Sequence, residues 1–296
     1  MAMKPLLHRL AAALALLVWA AAARGQEVVH FSSLADNGEG AAPTVLDAYL
    51  FRPAAEGRRP ALVFLHGCGG LISRVTRKIL VRELAWAEEF NKRGWVVLMV
   101  DSFTPRGRTQ MCAPATYEPE VARKRPADAY AALAWLQAQP LVRGDRIGLV
   151  GWSQGGGAVL ATVAAGEPAR PAALPQGDFR AAVAFYPGAC RAIAQRPGWS
   201  AAIPLLVLMG ELDVWTPLAP CRDFLATDAA ASGAPLALQT YPGAYHDFDW
   251  PDLPRRELPQ YRTASGVVPI VATDAAARAD ALARVPDFLA RYLEAP

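Results

Sequence analysis

From residue 45 onward, short runs of apolar residues alternate with longer stretches in which apolar positions recur every three or four residues. The runs at Leu46–Phe51, Ala61–Leu65, Trp95–Val100, Ile147–Gly151, Ala181–Phe185, Pro204–Met209 and Leu236–Tyr241 have the length of strands. Most lack the polar alternation of a strand with one wet face, so they predict strands covered on both sides, as in a mostly parallel sheet. The longer stretches predict helices over Arg74–Arg93 with Gly94 as the stop, Ala127–Gln139 with Pro140 beyond, Gly155–Ala165, Leu218–Ala231 and Ala275–Leu293. Pro286 is expected to kink the last. With no compositional break and no internal repeat, the alternation reads as one open α/β domain over residues 26–296. The proline-rich segments Glu167–Pro175 and Pro251–Pro259 read as loops.

The first residues follow another pattern. Lys4 and Arg9 precede an uncharged apolar stretch from Leu10 to Ala22, and small residues through Ala23 lead to Arg24. This is the layout of a secretory signal peptide over residues 1–25, cut after Ala23 or Gly25. The stretch is short of the roughly 20 residues that span a bilayer, so no stable membrane span is expected after cleavage. A secreted or periplasmic protein follows, and in an oxidising space Cys68, Cys112, Cys190 and Cys221 are expected to pair. Composition narrows the classes further. At 53% hydrophobic over 296 residues the chain fills a core, which excludes disorder. A net charge of +3, with no long basic run, excludes tracking a nucleic-acid backbone.

Candidate chemistry gathers at Gly151-Trp152-Ser153-Gln154-Gly155, between a predicted strand and a predicted helix. That context makes the glycines those of a nucleophile elbow, a turn so sharp that side chains two residues either side of Ser153 would collide. A phosphate loop is disfavoured because no lysine follows the glycines. Of the four histidines only His246 lies after Ser153, which makes it the base in the order serine, acid, histidine. The acid between them is Asp213, just past the Pro204–Met209 strand, with Glu211 as its competitor. For the oxyanion, one donor is expected from the backbone N–H of Gln154. The other is expected from the loop His66-Gly67-Cys68-Gly69-Gly70, at Cys68 or next at Gly67. No metal or cofactor is expected.

In this order the motifs resemble the dienelactone hydrolase family of α/β-hydrolases, in a secreted branch with a serine nucleophile. The resemblance spans about Val45 to Leu293 and rests on His66–Gly70, Asp101-Ser102-Phe103, Gly151–Gly155, Gly210–Asp213 and Gly243–His246. It implies an α/β-hydrolase fold, an eight-stranded, mostly parallel sheet in the order 1-2-4-3-5-6-7-8 with helices on both faces. That order would place Cys68 beside Cys112 and Cys190 beside Cys221. The resemblance further implies a substrate-carboxylate arginine in the loop after the fourth strand, where Arg106 is the match. Around it, Trp152, Tyr186, Trp215, Phe248 and Trp250 are expected to line an apolar acyl or aromatic pocket. The chain departs from the namesake enzymes in having Ser153 where they have cysteine, and in having no arginine in Asp247-Phe248-Asp249-Trp250. A general carboxylic ester or lactone is therefore the expected small-molecule substrate. A prolyl oligopeptidase-type peptidase and a non-catalytic binding protein on the same fold are the alternatives.

Overall fold

The computed structural model describes residues 26–36, 42–194, 198–229 and 233–295. The expected signal segment, residues 1–25, lies outside the described residues. Eight strands form one sheet: β1 Glu27–Ser32, β2 Val45–Phe51, β3 Arg59–Leu65, β4 Val96–Asp101, β5 Val142–Trp152, β6 Ala182–Phe185, β7 Leu205–Gly210 and β8 Leu236–Tyr241. Their spatial order is β1-β2-β4-β3-β5-β6-β7-β8, as the resemblance implies. β2 runs antiparallel to both its neighbours and the rest are parallel. Every residue of β4, β6 and β7 is buried, which is why those runs carry no polar alternation. β1 escaped the apolar-run reading because only Val29 in it is buried, on an edge strand otherwise open to water.

Among the described residues six α-helices accompany the sheet: α1 Val81–Lys92, α2 Pro119–Gln137, α3 Gln154–Thr162, α4 Cys190–Ala194, α5 Leu218–Ala229 and α6 Ala275–Leu293. Gly148 and Gly151 show that helices cover both faces. Their substituents would point to opposite sides of β5, and a methyl group there would meet Leu293 of α6 at 3.3 Å and Val159 of α3 at 2.8 Å, respectively. Two helices differ from their predicted starts by more than one residue, and α3 ends at Thr162 rather than Ala165. α1 starts only at Val81, because the preceding residues fold into a turn closed by the Ser73 N–H to Lys78 carbonyl bond of 2.8 Å, with Arg77 at φ 56. α2 starts early at Pro119, whose fixed φ suits a first turn, and takes in the charged segment through Arg125. The short α4 and a two-residue pairing of β9 Arg256–Glu257 with β10 Ile270–Val271 were not foreseen.

Leu65 is in register with Gly151, and Trp152 with Phe185, so the parallel strands end at a common rim. The sheet's direction of travel reverses around β3, with β4 on one side and β5 on the other. This is the crevice in which open α/β folds hold ligands. Disulfides join Cys68 to Cys112 (Cα separation 4.9 Å) and Cys190 to Cys221 (5.1 Å), as expected.

Candidate active site

Ser153 stands between β5 and α3 with φ 53 and ψ −114, a conformation disfavoured for a residue with a Cβ. The surroundings enforce it. The Ser153 N–H donates to the Phe185 carbonyl (2.9 Å), while its own carbonyl accepts from Gly157 (2.9 Å) and Gly188 (2.8 Å). A Cβ on Gly151 would lie 2.4 Å from the Gly155 carbonyl oxygen, and one on Gly155 would lie 2.0 Å from that of Leu65. Both glycines are therefore required by close backbone approach. Ser153 is 7% exposed and opens onto a cavity of about 1130 Å³.

His246 and Asp213 meet at the same rim. The His246 Nδ1 donates to Asp213 Oδ2 at 2.7 Å, with both side chains buried. The carboxylate is fixed by three more donors: the backbone N–H groups of Trp215 (2.8 Å) and Thr216 (2.9 Å) on Oδ1, and the Thr216 hydroxyl (2.7 Å) on Oδ2. Gly210 lets the two chain segments converge, since a Cβ there would sit 2.4 Å from the Ala244 carbonyl oxygen. Burial disfavours the imidazolium, but the charge and hydrogen bond of Asp213, helped by Asp247, outweigh it and hold His246 above the ordinary histidine pKa. Glu211, the competing acid, is exposed and takes a hydrogen bond from Thr240.

The loop after β3 is held at several points. The His66 ring donates through Nδ1 to the Gly67 carbonyl (2.7 Å) and accepts at Nε2 from the Ser102 N–H (3.3 Å), which defines a neutral ring. Burial first, and the nearby Arg125 charge second, lower its pKa to about 3. Cys68 is tied twice, through its disulfide and through its carbonyl, which accepts from Met111 at 2.7 Å. The loop lies against the serine: a Cβ on Gly67 would come within 3.6 Å of the Ser153 Cβ.

Sequence reasoning missed a buried polar cluster behind His246. Asp249 accepts from the indoles of Trp86 and Trp152 (2.8 Å each) and from the Tyr186 hydroxyl (2.5 Å). Arg82 donates to Tyr186 (3.0 Å), Asp247 (2.7 Å) and Glu83 (2.6 Å). The Tyr186 ring lies 4.4 Å from the His246 ring. The available signal was Arg82-Glu83 in an apolar helical stretch and two aspartates just beyond the base.

The expected substrate contacts are largely redirected. Arg106 makes a two-pronged ion pair with the buried Asp128 (2.8 Å for each prong) and also donates to the Ser102 carbonyl. It is absent from the cavity wall, so its charge serves packing between α2 and the loop after β4. Trp152 is fully buried with its indole on Asp249, and Trp250 lies 5.1 Å from the Arg82 guanidinium; neither faces the cavity. Of the five proposed aromatics only Trp215 lines the cavity, with Met111, Pro187 and Ile193 among its apolar neighbours. All four half-cystines also line it. Among the described residues, no three or more histidine, cysteine or carboxylate side chains converge as a metal site would.

Comparison with known proteins agrees with this architecture. The sequence profile of the dienelactone hydrolase family matches residues 46–293. A Bradyrhizobium protein described as a probable 2-oxo-3-(5-oxofuran-2-ylidene)propanoate lactonase is 30% identical over 143 residues, 47% of this chain and 50% of its own length. The chain thus spans about half the length of that curated relative. Among solved structures, a dienelactone hydrolase-like promiscuous phosphotriesterase from metagenomic libraries superposes with a TM-score of 0.61 at 19% identity, covering 90% of this chain and 98% of the other. The propionate-bound Thermogutta terrifontis esterase Est2 superposes at 0.59 and 19% identity, covering 92% and 97%. These structures establish likeness of fold.

Proposed function

We propose that this chain, which belongs to the dienelactone hydrolase family and is a carboxylic ester hydrolase, cleaves esters or lactones through an acyl-enzyme on Ser153. The observation that carries the reading is the buried bond between His246 and Asp213 at the same rim as a strained serine opening onto the cavity. The Ser153 hydroxyl oxygen attacks the carbonyl carbon while His246 Nε2 takes its proton, and Asp213 fixes the ring with Nε2 free of hydrogen. The oxyanion is received by the backbone N–H groups of Gln154 and Cys68. His246 then protonates the leaving alkoxide, and water, deprotonated by the same nitrogen, releases the acid. The cavity is large beside the roughly 300–1,000 Å³ that holds a drug-sized ligand, and Trp215, Ile193 and Met111 favour a bulky apolar acyl or alcohol group. The two disulfides support secretion or export to the periplasm, and no described helix is long and apolar enough to cross a membrane.

Ser153→Ala is expected to lower turnover of aryl esters by about 10⁴–10⁶ while leaving the fold intact, and to abolish labelling by a fluorophosphonate probe. A folded variant with wild-type activity would overturn the assignment. A panel of aryl esters graded by acyl length, run beside lactones, locates the substrate class.

A further inference from the structure

Arg125 is fully buried in α2 and lies in the cavity wall. One terminal nitrogen donates to the His66 carbonyl at 2.6 Å, and the other donates to the Gln154 side-chain oxygen at 3.2 Å. His66 opens the loop that carries the Cys68 amide; Gln154 carries the amide next to Ser153. A single guanidinium therefore bridges the two chain segments that would supply the oxyanion donors. No carboxylate pairs with it among the described residues, whereas Arg82 and Arg106 are each ion-paired. The Phe103 ring, 5.3 Å from the guanidinium carbon, covers part of it.

The direct partners of Arg125 are neutral oxygens, with Asp128 and Asp101 acting on its charge only from a distance, whereas the buried Arg106 meets its desolvation cost with a direct carboxylate, Asp128. A direct carboxylate here would place a negative charge under the developing oxyanion. Lysine could not span both acceptors, because the planar fork is what lets two bonds diverge from one side chain. We propose that Arg125 is a positioning residue for the oxyanion hole, setting the spacing between the Cys68 and Gln154 amides. This rests on the reading of Ser153 as the nucleophile. The bridge works only where the two amides act together, on the tetrahedral oxygen, so its loss falls on kcat more than on substrate binding.

The test compares Arg125→Met, Arg125→Lys and Gln154→Met with the wild type and with Ser153→Ala. Turnover of one aryl ester is measured beside inhibition by benzeneboronic acid, which adds to the serine as a tetrahedral anion. Arg125→Met is expected to lower kcat by about 10²–10³, the effect of losing one oxyanion donor, with KM little changed. Boronate affinity should fall in proportion, and the acid limb of kcat/KM, which reports His246, should stay where it is. Arg125→Lys should recover part of the loss. Gln154→Met, which keeps the backbone amide and removes only one end of the bridge, should lose about tenfold, and less than additively when combined with Arg125→Met. Unchanged kcat or boronate affinity in folded Arg125→Met, or in Gln154→Met should the arginine variant not fold, overturns the proposal. So does a loss confined to KM. If Ser153→Ala itself keeps activity, the reading of the site falls and the proposal with it; if Ser153→Ala is inactive, only the role of Arg125 is at stake.

Discussion

His66 and His246 are equally buried, at 1% exposure each, yet they are pushed in opposite directions. Around His246 stand Asp213, Asp247, Asp249 and Glu83 with Arg82 as the cation in their midst, and the ring is held above its ordinary pKa. Around His66 the carboxylates of Asp101 and Asp128 are matched by Arg106 and Arg125, and the ring stays neutral down to about pH 3. The two sides of the serine are thus electrically unlike. Acyl transfer moves positive charge onto the base and negative charge toward the donors. On the proposed mechanism, the anion-rich side lies behind the group that would become positive, and the balanced side, with its arginine bridge, lies behind the group that would become negative. Such preorganisation lowers a barrier without rearrangement at the moment of reaction.

The contrast can be broken most sharply at Asp213. Asp213→Asn is expected to reduce turnover by about 10⁴ by spoiling the tautomer of His246. A protonated base is inactive, so wild-type kcat/KM should rise with pH through a limb above the ordinary histidine value. Without the carboxylate that raises it, the limb should move to lower pH, as a pH–rate profile reads directly.

Arg106 sharpens the contrast from the other side. Arg106→Met leaves Asp128 buried without its two-pronged partner, with an expected loss of about 3–5 kcal/mol in denaturant unfolding. The ratio of KM for matched anionic and neutral esters should not change, since Arg106 does not face the cavity. A selective rise of KM for the anionic ester would restore it to the substrate.

Near neutral pH the smallest effect is expected at His66. Unfolded, this histidine binds a proton below about pH 6.5; folded, it does so only near pH 3. The unfolded chain therefore holds more protons between these values, and stability falls as pH drops through that window, by up to about 1.4 kcal/mol per pH unit. His66→Asn, whose amide can replace the Nδ1 donor, should flatten that part of the stability profile, measured by urea unfolding at a series of pH values.

What was legible in the sequence follows from how local each feature is. The elbow could be read because its two glycines answer to backbone contacts created by the turn itself and the adjoining strand. The central strands could be read because burial on both faces leaves long stretches of them, such as Ala61–Leu65, Val96–Val100 and Leu205–Met209, without a polar residue. The cysteine pairing followed from strand order once the resemblance supplied it. Arg106 was misassigned because its partner Asp128 comes from another element, and nothing near Arg106 in the chain announces it. Arg125 was overlooked in the basic segment Arg123-Lys124-Arg125, where Arg123 is exposed and paired with Glu120 while Arg125 is wholly buried. Two residues along a helix turn a side chain through about 200°, so neighbouring charges there can face opposite environments.

The pairing of the cysteines also bears on how the chain could be made. Cys68 joins the next cysteine in sequence, Cys112, and Cys190 joins the next after it, Cys221, closing separations of 44 and 31 residues that neither overlap nor enclose one another. A chain emerging amino terminus first into an oxidising space meets each correct partner before any wrong one has arrived. The first covalent loop can close before residues 113–189 and everything after them have appeared. If the chain is exported as proposed, order of arrival alone would select the native connectivity, with no reshuffling of bonds required.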